Sequence, residues 1–206
     1  MGDQGQVVGV DYDEEMIAEA DRSAADAGAK RCVKHVQADA TALPFESNEF
    51  DSCRSERLLQ HLLDPAQALS EMIRVTKPGG WIVVLDTDWG SASIDSPHVD
   101  IERRLVRVHV ERCHNNGYSG RQIYRLCRQA GLGDISVEAF TLPILSYSLA
   151  CQIGQLENAE REALSAGVVS ENELDIWRAA LEQADKEGVF FASASITMVG
   201  GRKRGE

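Results

Sequence analysis

No two cysteines in this chain stand at CxxC spacing. The five present (Cys32, Cys53, Cys113, Cys127 and Cys151) are odd in number and scattered. That excludes a disulfide framework and points to a reducing compartment. Long apolar runs are missing too. The densest, Trp81 to Leu85, falls far short of the roughly 20 residues a membrane helix needs. No basic region followed by an apolar one stands at Met1, so no secretory signal is read and a cytoplasmic protein is expected. Basic residues are in deficit, 21 Lys plus Arg against 33 Asp plus Glu, for a net charge of −12. Such a surface repels phosphate backbones, which argues against nucleic acid as a partner. There is no Walker A loop and no GxGxxG turn, which disfavours nucleotide triphosphatases and nicotinamide dehydrogenases. Internal repeats and low-complexity tracts are also lacking.

What remains has the make-up of an ordinary globular domain: 206 residues, 43% apolar and 26% charged, enough to bury a sizeable core. Short apolar runs alternate with helical spacing, the pattern of βαβ units. Val7 to Val10 reads as a strand and Glu14 to Ala27 as a helix, with Met16, Ile17, Ala20 and Ala24 on one face. Strands follow at Val33 to Gln37 and Phe50 to Arg54. Pro65 opens a helix bearing Leu69, Met72, Ile73 and Thr76 on one side. "KPGG" at Lys77 to Gly80 ends it, and "WIVVLDTD" reads as a buried strand. Beyond this, helices are expected over His98 to Asn115 and Arg121 to Ala130, a strand over Ile135 to Leu142, and one helix over Ser146 to Leu164. Ser170 with Glu173 forms a capping box that starts a further helix. Phe190 to Val199 alternates like a last, antiparallel strand, and "GRKRGE" reads as a solvated tail.

Two acids carry the chemical reading. Asp11, in "GQVVGVDYDEE", ends a strand where open α/β sheets bind ligands; a carboxylate there can accept both hydroxyls of a ribose. Tyr12 follows, with a ring free to pack on an adenine face. Asp39, in "QADATALPF", ends the neighbouring strand. Its carboxylate can accept from an adenine amino group while the Ala40 N–H meets a ring nitrogen. Either acid alone could equally be a turn former; the pair at adjacent strand ends favours a shared cleft.

The combination "VVGVDYDEEMIAEA", "DATALPF", "FD", "LLQHLLDPAQAL" and "RVTKPGG", over about Gly5 to Gly90, resembles the class I S-adenosylmethionine-dependent methyltransferases. Within them it is most similar to the ubiquinone/menaquinone methyltransferase-like group. The resemblance implies an α/β, Rossmann-like sheet with an antiparallel last strand, and S-adenosylmethionine as cofactor. It implies that Asp11 holds the ribose, Tyr12 flanks the adenine, and Asp39 and Ala40 read the adenine edge. Arg54 and Ser55, just after a strand, would lie by the methionine part. His61 would stand near the cofactor mouth, and Asp86 to Trp89 would face the substrate. The partner would be a small, hydrophobic or aromatic methyl acceptor.

The domain is expected to span 1–206, with a cofactor-binding core over 5–90, a helical substrate-side region and sixth strand over 91–188, and a last strand over 189–200. Candidate bases are His61, Asp88 and His109, with His114 beside them. His109 and Cys113, four apart on a helix, have a spacing that can hold zinc, but with no second ligand cluster no metal is assigned.

The family's first strand and its glycine-rich loop have no counterpart in these residues. Three readings stay open: a truncated form of a longer gene product, a chain with an altered or lost cofactor site, or a strand supplied by a partner in a strand-swapped homodimer. Strands two and four could also close directly on each other. A non-catalytic, methyltransferase-like interaction protein is the alternative to an enzyme.

Overall fold

A computed structural model of the chain describes residues 5–205. β1 (Val7–Asp11) and β2 (Val33–Gln37) pair in parallel, Asp11 opposite Gln37, and are joined by α1 (Glu14–Asp26). Asp13 caps α1 by accepting from Glu15 N–H, with Glu14 and Glu15 in the first turn where the helix dipole favours them. Gly9 leaves room for the His35 ring, since a Cβ there would lie 2.7 Å from it and push it aside. The apolar face of α1 is only half covered, and Met16 is exposed.

A second sheet has the order β3-β4-β6-β5, built from β3 (Phe50–Glu56), β4 (Thr76–Ile94), β5 (Gly133–Ile144) and β6 (Ala192–Arg202). β3 runs parallel to β4, and β6 runs antiparallel to both β4 and β5. This is the expected Rossmann-like arrangement with its antiparallel last strand. β1 and β3 belong to different sheets, so direct closure of one on the other does not occur. The segment between β2 and β3 is pinned to α2 (Pro65–Val75). Arg74 donates to the carbonyls of Leu43 and Phe45, and Glu71 accepts from Leu43 N–H. That anchorage ties the connection leaving β2 to α2.

α2 starts on Pro65 with Asp64 as its cap. It packs Ala68, Leu69 and Met72 with Ile82, Val84 and Val199 of the sheet and with Ile123 and Cys127 of α4 (Ser119–Gln129). A second apolar cluster lies among α3 (Val99–Arg112), α5 (Tyr147–Gly154), α6 (Leu156–Ser165) and α7 (Glu171–Lys186). It centres on Leu105, Val108, Ala163, Trp177 and Leu181.

Several expected boundaries move. β4 begins at Thr76 and continues to Ile94, because Thr76 bridges to Phe50 and the far end pairs with β6. The helix expected over Ser146 to Leu164 is two helices, broken where Gln155 takes a left-handed backbone with φ +46°. The last strand is not confined to 189–200 and the tail is not free: Gly201 and Arg202 continue β6. Arg202 lies over the Trp81 ring at 5.0 Å, and Lys203 Nζ donates to Asn48 Oδ1 at 2.7 Å and to the Thr76 carbonyl. The capping box of Ser170 and Glu173 forms as expected. No helix among the described residues is long and apolar enough to cross a membrane.

Candidate active site

The C-terminal ends of β1 and β2 bring Asp11 and Asp39 side by side, since Ala38 N–H donates to the Asp11 carbonyl at 2.9 Å. Asp11 accepts from Asp13 N–H with one oxygen; among the described residues the other has no partner. Asp39 accepts from the Thr41 N–H at 2.8 Å and hydroxyl at 2.7 Å. These bonds hold its carboxyl below the usual range, so it stays ionised. Tyr12 is 77% exposed, and no group among the described residues accepts the Ala40 N–H. An exposed ring, a spare carboxylate oxygen, a second ionised carboxylate and a free N–H suit the donor and acceptor pattern of an adenosine.

Arg54 and Ser55 lie within β3 rather than after it, because the strand runs on to Glu56. Arg54 is exposed and pairs with Glu56 at 3.5 Å. The Ser55 hydroxyl is buried without a partner.

Over the ends of β3 and β4 sits a polar network that the strand pattern did not announce. Asp86 is fully buried and accepts from Gln60 N–H at 3.2 Å and Ser119 Oγ at 3.0 Å. Burial raises its pKa to about 6, against the pull of those hydrogen bonds. Trp89 Nε1 donates to Gln60 Oε1 at 3.0 Å, and Gln60 Nε2 lies 2.9 Å from His61 Nε2. An indole N–H can only donate, so the Gln60 amide is oriented with its NH2 toward His61. His61 Nε2 is therefore the acceptor, and the neutral ring carries its proton on Nδ1. Burial first, and then the Arg57 charge, lowers the His61 pKa.

His109 and His114 face each other, Nε2 to Nε2, at 3.0 Å. Trp89 stacks on His114, rings 5.4 Å apart at 7°, and meets His109 edge-on at 4.9 Å. His61 is 6.0 Å from His114. His61, distant in sequence, thus joins His109 and His114 in one cluster. Asp88 stands apart from it: Arg121 Nε holds its Oδ2 at 2.7 Å, and Gly120 packs so close that a Cβ would meet the Asp88 backbone at 2.5 Å.

His109 also lines a cavity of about 50 Å³, walled by Trp89, Glu102, Leu105, Ala159, Glu160 and Trp177 among others. Its surroundings are braced by two guanidinium groups. Arg104 of α3 donates to the Val168 carbonyl and to Glu173 of α7, each at 2.6 Å. Arg178 of α7 donates to Glu160 of α6 at 2.6 and 2.8 Å. Sequence reasoning did not find Gln60, Ser119 or Glu160; only "QH" in "LLQHLLDP" hinted at the first.

The arrangement, with parallel strands ending in paired acids and an antiparallel closing strand, is that of a class I methyltransferase. Residues 1–84 match the methyltransferase domain family. The chain is 34% identical over 195 residues to an uncharacterised 37.1 kDa protein of transposon TN4556 from Streptomyces fradiae, covering 95% of this chain and 54% of that protein. It is 40% identical over 86 residues to a demethylmenaquinone methyltransferase of Desulfitobacterium hafniense, covering 42% and 34%. The YcgJ protein of Bacillus subtilis shares the fold, with a TM-score of 0.66 at 20% identity over 98% of this chain and 83% of that one. Over residues 1–84 the chain carries a methyltransferase domain and is similar there to ubiquinone/menaquinone methyltransferases, and its fold is that of the class I methyltransferases. It spans about half the length of the Streptomyces relative.

Proposed function

We propose that this chain binds S-adenosylmethionine across the ends of β1 and β2 and methylates a small, hydrophobic or aromatic acceptor. The observation that carries the reading is the pairing of Asp11 and Asp39 at adjacent parallel strand ends beside the free Ala40 N–H. The cofactor, when bound, supplies an electrophilic methyl group on a sulfonium. The chain's own residues do the rest. Asp11 holds the ribose hydroxyls, Asp39 and Ala40 take the adenine edge, and Tyr12 covers its face. Trp89 and the cavity walls exclude water from the acceptor and hold it in line, which accounts for much of the rate in such displacements. The acceptor's proton has to be removed by a group within hydrogen-bond reach; His109, which lines the cavity, is the residue we assign to that role.

Isothermal titration tests the reading. S-adenosylmethionine and its demethylated product are expected to bind the wild-type chain. Asp39→Ala should weaken binding about 10- to 100-fold, the loss of one or two charge-assisted hydrogen bonds. Absence of heat at millimolar ligand would overturn it.

A further inference from the structure

His61 is held in one tautomer by a neighbour that has no freedom of its own. Gln60 is buried, and each of its polar groups is occupied. Its N–H donates to Asp86 Oδ2 at 3.2 Å, and its carbonyl accepts from Asn116 N–H at 3.0 Å. Its side-chain oxygen accepts from the Trp89 indole, which leaves its NH2 for His61 Nε2. The His61 backbone is fixed as well, since Asn115 Nδ2 donates to its carbonyl at 2.7 Å. The remaining ring nitrogen is therefore an Nδ1–H donor, on an exposed residue. A ring so held is a poor base and a good donor to an anion.

Arg57 supplies the charge. It follows the last residue of β3 and takes a left-handed backbone, φ +54°, which side-chain-bearing residues adopt rarely. Its N–H donates to the Leu85 carbonyl at 2.8 Å and ties the turn to β4. Glu56, the adjacent acid, pairs with Arg54 instead, and Asp64 is taken up as the cap of α2. Among the described residues the Arg57 guanidinium has no ion-pair partner. Its charge nevertheless reaches the rings: after burial it helps lower the pKa of His61, and after burial and His61 that of His114. A cation without an acid, beside a ring fixed as a donor, matches a carboxylate, one oxygen for each.

We propose that Arg57 and His61 form a carboxylate site, and that the acceptor is a small organic acid, an apolar or aromatic body bearing one carboxylate. One carboxylate oxygen takes the Arg57 guanidinium and the other takes His61 Nδ1–H. A single guanidinium and one neutral donor match one negative charge, which favours a carboxylate over a phosphate dianion. The neighbours of the site favour the acceptor as its source. His61 lies 6.0 Å from His114, His114 stacks on Trp89, and Trp89 lines the apolar cavity. The assignment to the acceptor rests on the function proposed above; the carboxylate site itself does not.

The test uses the whole chain at about pH 8, where an ordinary histidine is neutral, and two matched pairs of probes. One pair is benzoate against benzamide. The other is S-adenosylhomocysteine against 5′-methylthioadenosine, which lacks the amino-acid end. Nitrogen-15 NMR of the free chain should show His61 with its proton on Nδ1; a proton on Nε2 alone would overturn the site. Benzoate should shift His61 Nδ1 and bind about 10-fold more tightly than benzamide. Arg57→Gln and His61→Phe should each remove that preference and leave benzamide unchanged. Both positions are exposed, so the fold should survive either change, which circular dichroism checks. Benzoate no tighter than benzamide, or a preference that survives both substitutions, would overturn the proposal. So would dependence on Arg57 and His61 confined to the nucleoside pair, since that gives the site to the cofactor. If neither nucleoside binds while benzoate behaves as expected, the methyl-transfer reading falls and the carboxylate site stands.

Discussion

Nothing between residues 5 and 58 is buried; Leu59 is the first residue that is. Beyond it, two apolar clusters fill the molecule, one under the four-stranded sheet and one among α3, α5, α6 and α7. The β1–α1–β2 unit and the four-stranded sheet thus differ in kind. The first is a parallel pair with a half-covered helix; the second packs an apolar cluster under α2 and α4 and has a central strand, β4, paired on both sides. The carboxylates assigned to the cofactor sit on the thin region, and the histidine cluster sits on the thick one. Under the proposed function the two regions would divide the work, with capture of a nucleoside on one side and handling of an acceptor on the other.

The largest expected effect lies in the thick region. Trp177→Ala, at a site 1% exposed, should lower unfolding stability by about 3–5 kcal/mol. Val10→Ala on half-buried β1 should cost about 1 kcal/mol or less. Equal losses in denaturant titrations would erase the distinction between the regions.

Acidification comes next. His109 and His114 have folded pKa values near 4, below the usual 6.5. The stability they contribute is whole above pH 6.5 and is lost as pH falls toward 4. Asp86 works the other way: raised from 3.8 to about 6, it favours the folded state increasingly as pH falls through 6. Two groups oppose one, so melting temperature should drop between pH 7 and 5, by an amount on the order of 1–3 kcal/mol in stability. Asp86→Asn should steepen that drop. A flat profile would show that the thick region admits water to its polar groups.

A smaller contrast is kinetic. Amide hydrogens of β1 and β2 should exchange through low-energy local openings, and those of β4 and β6 only near global unfolding. Saturating S-adenosylmethionine should slow the first set and leave the second unchanged. Slow exchange in β1 without ligand would sharpen the question of what covers that strand.

Much of this was legible in the residues. Strand-end acids such as Asp11 and Asp39 announce themselves because period and position coincide. The Ser170–Glu173 box is a local signal with a local cause. The break at Gln155 was not legible, since nothing in its neighbours forces a left-handed backbone on a glutamine. The ordered tail was missed because its anchor, Asn48, lies far away in sequence. The histidine pair was hidden for a related reason. His109 lies in the last turn of α3 and His114 follows it, but the Trp89 ring that stacks on His114 and meets His109 edge-on comes from a distant strand.

The braces of Arg104 and Arg178 carry a last consequence. They tie α3, α6 and α7 into a frame whose sides cannot part independently. Under the proposed function, a chamber with such walls would sort guests by size and gain little from reshaping around a larger molecule. Its range should be narrow, and broadening it would mean cutting a brace as well as enlarging the hole.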